Sequence, residues 1–467
     1  MTMFSLDESL VFDAIRSITH SVDDSVDGGG GDSDSAGGGG VGVGVGVGVL
    51  HGNSGYGARD QRGDSGDGAQ DQRDDRVRET AERFARATWS GIAEPGDLVA
   101  GILVRALGAG AALTALLERH KRTRVLHALA DAGVEDVLPN ALAMAFERWM
   151  PRLAANSALG SIRLASRCNA RLVIPGDDEW PASLGDLGRH EPLALWVRGK
   201  PGAVSRMTDS VALVGARAAT GYGEHVAMEL SAGLSDRGVG VISGAAYGID
   251  GMAHRAALAS SGFTVAFLAG GVDRFYPSGH DALLTRIASH GLVVSELPCG
   301  SPPTKWRFLQ RNRLIAAASK ATVVVEAGSR SGSLNTAAHA SSLGRPLGAV
   351  PGPVTSLSSA GCHRLLREFN AECVTNTDEV MALFSPLTEQ SESGGTIGEN
   401  NADERVSHRS PDQLRLGDAL SSRSPRTTSD LAKRAGLSIA RTSSLLGSLS
   451  LAGSVVEGER GWKKIEA

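Results

Sequence analysis

Ser210-Val211-Ala212-Leu213-Val214-Gly215-Ala216-Arg217 opens the stretch, Ser210 to Thr375, from which the fold is read. Further short β-branched runs follow at Val239–Ser243, Phe263–Leu268, Leu292–Ser295, Ala321–Val325 and Pro346–Val350. None alternates polar with apolar residues, which is the pattern of strands covered on both faces. Helix-like segments separate the runs, and strands joined through helices form right-handed βαβ units. The expected class is α/β, a doubly wound parallel sheet. Such sheets bind ligands at the carboxyl ends of their strands. Here those ends read Gly215-Ala216-Arg217, Ser243-Gly244-Ala245-Ala246-Tyr247-Gly248, Ala269-Gly270-Gly271 and Glu326-Ala327-Gly328-Ser329-Arg330-Ser331-Gly332-Ser333. Backbone amides at glycine turns and helix N-termini suit phosphates.

Outward from this core, Arg171–Pro175 and Leu193–Val197 read as two strands leading into a domain expected over 166–384. Residues 76–165 are helical in pattern, with Pro95-Gly96-Asp97 marking a helix start. A short helix is expected within 1–27. Residues 28–75 are rich in Gly, Asp, Ser and Gln, with a Val-Gly repeat from Val41 to Val49. They offer almost no large apolar side chain to offset ordering entropy, so a disordered insertion is expected. Residues 385–424 read as a polar linker. The last segment, 425–467, runs helix, turn, helix and hairpin, the order of a winged helix. Its second helix, Ser438 to Ala452, carries only Arg441 as a charge, so protein contact or self-association stands beside DNA contact through Lys463 and Lys464.

The chain's 467 residues exceed one compact domain, and two to four units are expected. A net charge of −5 argues against a globally basic protein but leaves room for a local basic groove. Cys168, Cys299, Cys362 and Cys373 form no C-x-x-C pair, so neither a zinc site nor a disulfide framework is indicated. Met1 to Glu8 lacks a basic segment and an apolar core, so no secretory signal is read there. A reducing cytoplasm is the expected location. Leu98 to Leu117 approaches the length of a membrane span, but Gly101, Gly108, Gly110 and a central Arg105 point to two buried helices instead.

Several residues are candidates for binding an anionic chain. Arg217 lies two positions past the first strand, where a guanidinium can grip phosphate bidentately. Gly215, Ser243, Gly244 and Gly248 supply backbone at the strand ends, and Tyr247 offers a ring on which a base can stack. The segment Lys305-Trp306-Arg307-Phe308-Leu309-Gln310-Arg311-Asn312-Arg313 concentrates four cations on one helix. Arg307 and Arg311, four apart, share a face expected toward that anionic chain; Lys305 and Asn312 are counted as further contact candidates. Arg313 points elsewhere, toward a buried ion pair with Glu296 or Glu326. Ser331-Gly332-Ser333 reads as a helix N-cap with free amides. Asp250 and His254 are spaced as an acid/base pair, but no nucleophile or metal set accompanies them, and a structural hydrogen bond is expected. No catalytic residue, metal or cofactor is assigned.

These motifs, in their order along Arg171 to Thr375, resemble the DNA-processing protein A (DprA/Smf) family. They are Val214–Arg217, Ser243-Gly244 through Asp250 with Ala253-His254, Tyr276-Pro277, Ser295-Glu296, Gln310–Ala316, Val325–Ala327 with Ser331–Leu334, and Val350-Pro351-Gly352. The resemblance implies a Rossmann-like domain that binds incoming single-stranded DNA, forms a homodimer and loads RecA onto the strand in natural transformation, without being an enzyme. Two departures stand out. Tyr247 occupies a position where many members carry Arg, and Ser278-Gly279-His280 replaces Lys or Asn. A nucleotide-hydrolysing phosphoribohydrolase of the lysine-decarboxylase-like kind is the alternative, but it carries Pro-Gly-Gly-x-Gly-Thr where this chain has Glu326–Gly332. A dehydrogenase needs G-x-G-x-x-G at the first turn and an acid after the second strand. The chain has Gly215-Ala216-Arg217-Ala218-Ala219-Thr220 and Ser243.

Overall fold

The structure is a computed structural model that describes residues 2–19, 67–153, 155–384, 410–458 and 460–465. Most of the segment expected to be disordered, residues 28–66, lies outside the described residues, as does 385–409 of the linker. Residues 2–19 and the described residues from 80 onward form one compact unit, to which the described residues 67–79 do not belong.

A two-stranded hairpin, β1 (Thr2–Met3) and β2 (Leu6–Asp7), leads into α1 (Glu8–Arg16), whose N-cap Asp7 accepts the Ser9 N–H at 2.9 Å. Helix α2 (Asp67–Ile92) begins inside the segment read as disordered, so its last residues, 67–75, are helical instead. Then come α3 (Leu98–Leu107), α4 (Ala109–Leu117), α5 (Arg122–Asp131), α6 (Pro139–Trp149) and α7 (Ala155–Arg167). The apolar stretch forms two helices bent by 112° at Gly108, and no described helix is long and apolar enough to cross a membrane. Asp97 caps α3 by accepting from Val99 and Ala100, and its second oxygen takes the Trp149 indole N–H at 3.0 Å. Trp149 meets Trp89 edge-on with centroids 5.0 Å apart, in a core shared by α2 to α6.

The sheet follows: β3 (Ala170–Val173), β4 (Leu195–Gly199), β5 (Ser210–Gly215), α8 (Gly221–Asp236), β6 (Gly240–Ser243), α9 (Ile249–Ala259), β7 (Thr264–Phe267), α10 (Asp281–His290), β8 (Leu292–Ser295), α11 (Lys305–Ala317), β9 (Ala321–Glu326), α12 (Ser333–Ser342), β10 (Leu347–Ala349), α13 (Ala360–Glu368), β11 (Glu372–Cys373) and α14 (Thr377–Ala382). Nine strands lie in the order β11-β10-β9-β5-β6-β7-β8-β4-β3. Seven run parallel, while β4 pairs antiparallel with β8 and β3 antiparallel with β4. The sheet is thus mixed at one edge. Alternation of faces is visible in β5: Val211 and Leu213 pack under α8 and α9, and Ala212 and Val214 under α11 and α12. The chain runs outward from β5 through β6, β7 and β8, then returns to β9 on the other side of β5. The order therefore reverses between β5 and β9, the point at which doubly wound sheets open a crevice.

The C-terminal part starts earlier than the composition suggests. Pro411–Ala419, within the expected linker, is helix α15, closed by a capping box between Ser410 and Gln413. Its Leu416 and Ala419 join α16 (Thr428–Ala435), α17 (Ile439–Leu451) and the antiparallel pair β12 (Val455–Gly458) and β13 (Gly461–Lys464) in one small core. Arg426 exchanges backbone hydrogen bonds with Trp462 and so adds a bridge to that pair.

Candidate nucleic-acid interface

The end of β5 is tied to its neighbours before any side chain reaches out. Ala216 N–H donates to the Glu326 carbonyl at 2.7 Å, and its own carbonyl accepts from Ile249 at 3.2 Å. A Cβ on Gly215 would fall 2.5 Å from Ile249, and one on Gly248 would fall 2.2 Å from the Ala216 carbonyl, so both turns close only with glycine. From this fixed corner Arg217 projects into solvent. Its guanidinium lies over the Phe308 ring, 5.1 Å from the centroid. Tyr276, 49% exposed, also packs against Phe308, with ring centroids 5.6 Å apart. No acidic partner of Arg217 occurs among the described residues. An exposed cation stacked on an aromatic ring beside a second ring is a surface for phosphates and bases together.

Beneath it Arg311 is buried. One guanidinium nitrogen donates to the carbonyls of Gly244 at 2.7 Å and Phe267 at 2.6 Å, clasping the ends of β6 and β7. Its Nε donates to Asn312 at 3.2 Å. Burial lowers the Arg311 pKa to about 10, with Arg217 adding repulsion and Asp250 opposing both. Arg311 therefore stays charged at neutral pH and places positive potential under the Phe308 ring. Asp250 accepts the Gly244 and Ala246 amides at 3.1 and 3.4 Å, and burial raises its pKa against the pull of Arg311. Ser243 is likewise occupied, donating to the Leu213 carbonyl at 2.6 Å.

The helix α11 divides its cations differently from the expectation of one exposed face. Arg307 is buried, and two of its nitrogens grip Glu94 at 3.2 and 3.0 Å while a third reaches the Pro302 carbonyl. Arg152 meets the same carboxylate at 2.5 Å. Burial alone would raise the Glu94 pKa, but the two guanidiniums hold it at about 2. Arg307 turns inward because the α2–α3 joint supplies a carboxylate, and Arg311 because the ends of β6 and β7 supply carbonyls. Arg313 holds Glu296 bidentately at 2.8 Å on both arms. Glu326 serves another purpose, accepting the Thr220 amide and hydroxyl at 2.8 Å each at the start of α8. Lys305 stays exposed at the first turn of α11. Asn312 is buried, and its amide donates to Asn335 at 3.2 Å.

At the β9 end, Gly332 is the N-cap of α12 without a side-chain cap bond, while the Ser331 and Ser333 hydroxyls pair at 2.7 Å. His254 does not meet Asp250: its Nδ1 is 2.7 Å from the Thr264 hydroxyl, in the core. Tyr247 is 47% exposed at the β6 end. Gly215, Arg217, Tyr247, Gly248 and Lys305 thus reach the surface around this crevice, whereas Ser243, Arg307, Arg311 and Asn312 are buried in or beside its frame. Phe308 was given no role from the sequence, and Tyr276 entered only through the Tyr276-Pro277 motif, not as a stacking ring. The available signal was an aromatic residue set between cations, as in Arg307-Phe308.

A family model described as DNA recombination-mediator protein A matches residues 171–385. A putative DNA processing protein DprA of Mycobacterium tuberculosis is 45% identical over 331 residues, 68% of this chain and 82% of that protein. The chain belongs to the DprA family. DprA of Streptococcus pneumoniae is 38% identical over 208 residues, 44% of this chain and 72% of its own. The X-ray structure of the Streptococcus pneumoniae protein superposes with a TM-score of 0.51 at 28% identity, covering 64% of this chain and 96% of that one. DprA membership makes this a DNA-binding protein of recombination, with the Rossmann-like sheet that its sequence implies.

Proposed function

We propose that the chain binds single-stranded DNA across the carboxyl ends of β5, β6 and β9, as a recombination mediator that hands incoming strands to RecA. The observation that carries this reading is Arg217, exposed and stacked on Phe308 beside Tyr276 at the point where strand order reverses. Lys305, Tyr247 and the backbone of Gly215, Gly248 and Ser331-Gly332-Ser333 complete the proposed groove, while Ser243, Gly244, Arg311 and Asn312 shape it from below. Arg307 is left out of the contact set because its guanidinium is engaged by Glu94. Sequence-independent stacking suits a single strand, whose bases are free to leave the helix axis. A cytoplasmic homodimer and a winged-helix role for the C-terminal helices and hairpin belong to the same proposal. So does the absence of catalysis; Asp250 and His254 each have other partners and do not form an acid/base pair.

The test is fluorescence anisotropy with single- and double-stranded oligonucleotides over a range of salt. Single strands are expected to bind more tightly, with affinity falling as salt rises. Arg217→Ala should cost about 1–3 kcal/mol of binding, the range for charge-assisted hydrogen bonds. Equal affinity for duplex, or binding indifferent to salt, rejects the reading. RecA filament formation on protein-coated strands, followed by ATP hydrolysis, tests delivery separately.

A further inference from the structure

Tyr247 and His280 lie in loops that follow different strands, β6 and β7, yet they form one unit. The His280 ring is buried, and its Nδ1–H donates to the Ala245 carbonyl at 3.0 Å. Ala245 holds a left-handed backbone at φ 56°, so this bond secures a turn that a non-glycine residue rarely adopts. On its other side the ring abuts Gly251 of α9, where a Cβ would fall 2.6 Å from Cε1. Thus fixed, His280 meets the Tyr247 ring at 4.8 Å and 70°, an edge-to-face contact. The Tyr247 hydroxyl extends over Gly279, where an added Cβ would lie 2.6 Å from it. Glycine at 279 and histidine at 280 therefore make a seat for one tyrosine. That tyrosine is half exposed, and no hydrogen-bond partner of its hydroxyl occurs among the described residues.

The seat adjoins the proposed groove. Gly248, next in the chain, sits against the Arg217 carbonyl, and Tyr276 lies four residues before His280 in the same loop. We propose that Tyr247 is a second nucleobase-stacking subsite beside the Arg217 corner, with His280 as its positioning residue. The ligand class is an unpaired nucleobase of a strand whose phosphate lies at Arg217. An exposed cation with aromatic rings on neighbouring strand-end loops suits a phosphate and the bases on either side of it. This inference rests on the single-strand reading above, and its test separates the two.

The experiment uses the full chain and a single-stranded oligonucleotide carrying 2-aminopurine, read by anisotropy and by quenching of the base analogue. Tyr247→Ala should weaken binding roughly fivefold or more, the effect of losing one base–aromatic stack, and relieve quenching. Tyr247→Phe and Tyr247→Trp should retain both. His280→Asn keeps a donor for Ala245 but removes the ring. It should weaken binding in the Tyr247 background and leave the Tyr247→Ala protein unchanged. Equal weakening in both backgrounds overturns the positioning role of His280. Unaltered binding and quenching in Tyr247→Ala, with Arg217→Ala weakened, overturns the subsite alone. Unaltered binding in Arg217→Ala as well overturns the parent reading.

Discussion

A methyl group added to Gly244 would lie 2.3 Å from an Arg311 guanidinium nitrogen, so these two residues are selected together. Gly244→Ala is expected to lower stability by about 1–3 kcal/mol, the usual cost of overpacking, seen as a shift in the urea midpoint. Nothing in the sequence around Gly244 announces this, because the constraint comes from an arginine 67 positions away. His254 makes a second residue-scale prediction. Burial first, and the electrostatic influence of nearby His280 and Arg311 next, depress its pKa from 6.5 to about 3. The unfolded chain therefore binds the proton first. Stability contributed by neutral His254 is full above pH 6.5 and is lost as pH falls toward 3. Relative to wild type, His254→Gln should gain stability on acidification by up to about 1.4 kcal/mol per pH unit below that point, measured by urea unfolding at each pH.

At the scale of elements, α11 shows what periodicity delivers and what it withholds. Their four-residue spacing puts Arg307 and Arg311 near one another around the helix. Which side faces water depends on carboxylates elsewhere, Glu94 before α3 and Glu296 after β8, and no local pattern encodes those encounters. Arg307→Ala should destabilise by about 1–3 kcal/mol, since buried Glu94 loses one of its two guanidinium partners and keeps Arg152. At temperatures where the variant stays folded, its affinity for a strand should equal that of wild type. A calorimetric scan paired with anisotropy checks both halves. Strands β5 to β10 were legible as largely apolar runs buried on both faces, whereas the short, exposed β11 was not. Helix α15 was not, because Leu416, Ala419 and Leu420 become a core only once α16 and α17 supply its other half.

For the whole molecule, Arg152 matters more than its place in the N-terminal helical region suggests. Besides Glu94, it donates to the Lys433 carbonyl at 2.7 Å and the Arg434 carbonyl at 3.0 Å, at the C-terminus of α16. A cation at the carbonyl end of a helix stabilises it through both hydrogen bonds and the helix dipole. Asp418 of α15 meanwhile accepts the Trp306 amide at 3.3 Å at the start of α11. Three regions read separately from sequence are thereby joined. Arg152→Met should speed hydrogen exchange in α16 more than in β5 or β9, followed peptide by peptide. Uniform exchange across the chain would refute the linkage.

Residues 2–19 return to this same unit although residues 20–79 intervene. Val11, Ile15 and Ile18 are buried against α7 and the sheet, Phe4 stacks on Phe84 at 5.8 Å, and the Ile18 carbonyl accepts the Leu172 N–H at 3.2 Å. These contacts owe nothing to covalent continuity through the segment between. Removing residues 28–66 should accordingly leave the melting temperature and strand affinity close to those of the full chain. The stronger consequence is fragment complementation. A synthetic peptide of residues 1–19, added in trans to a chain beginning at residue 80, should dock as a ligand and raise that chain's melting temperature in proportion to the logarithm of peptide concentration.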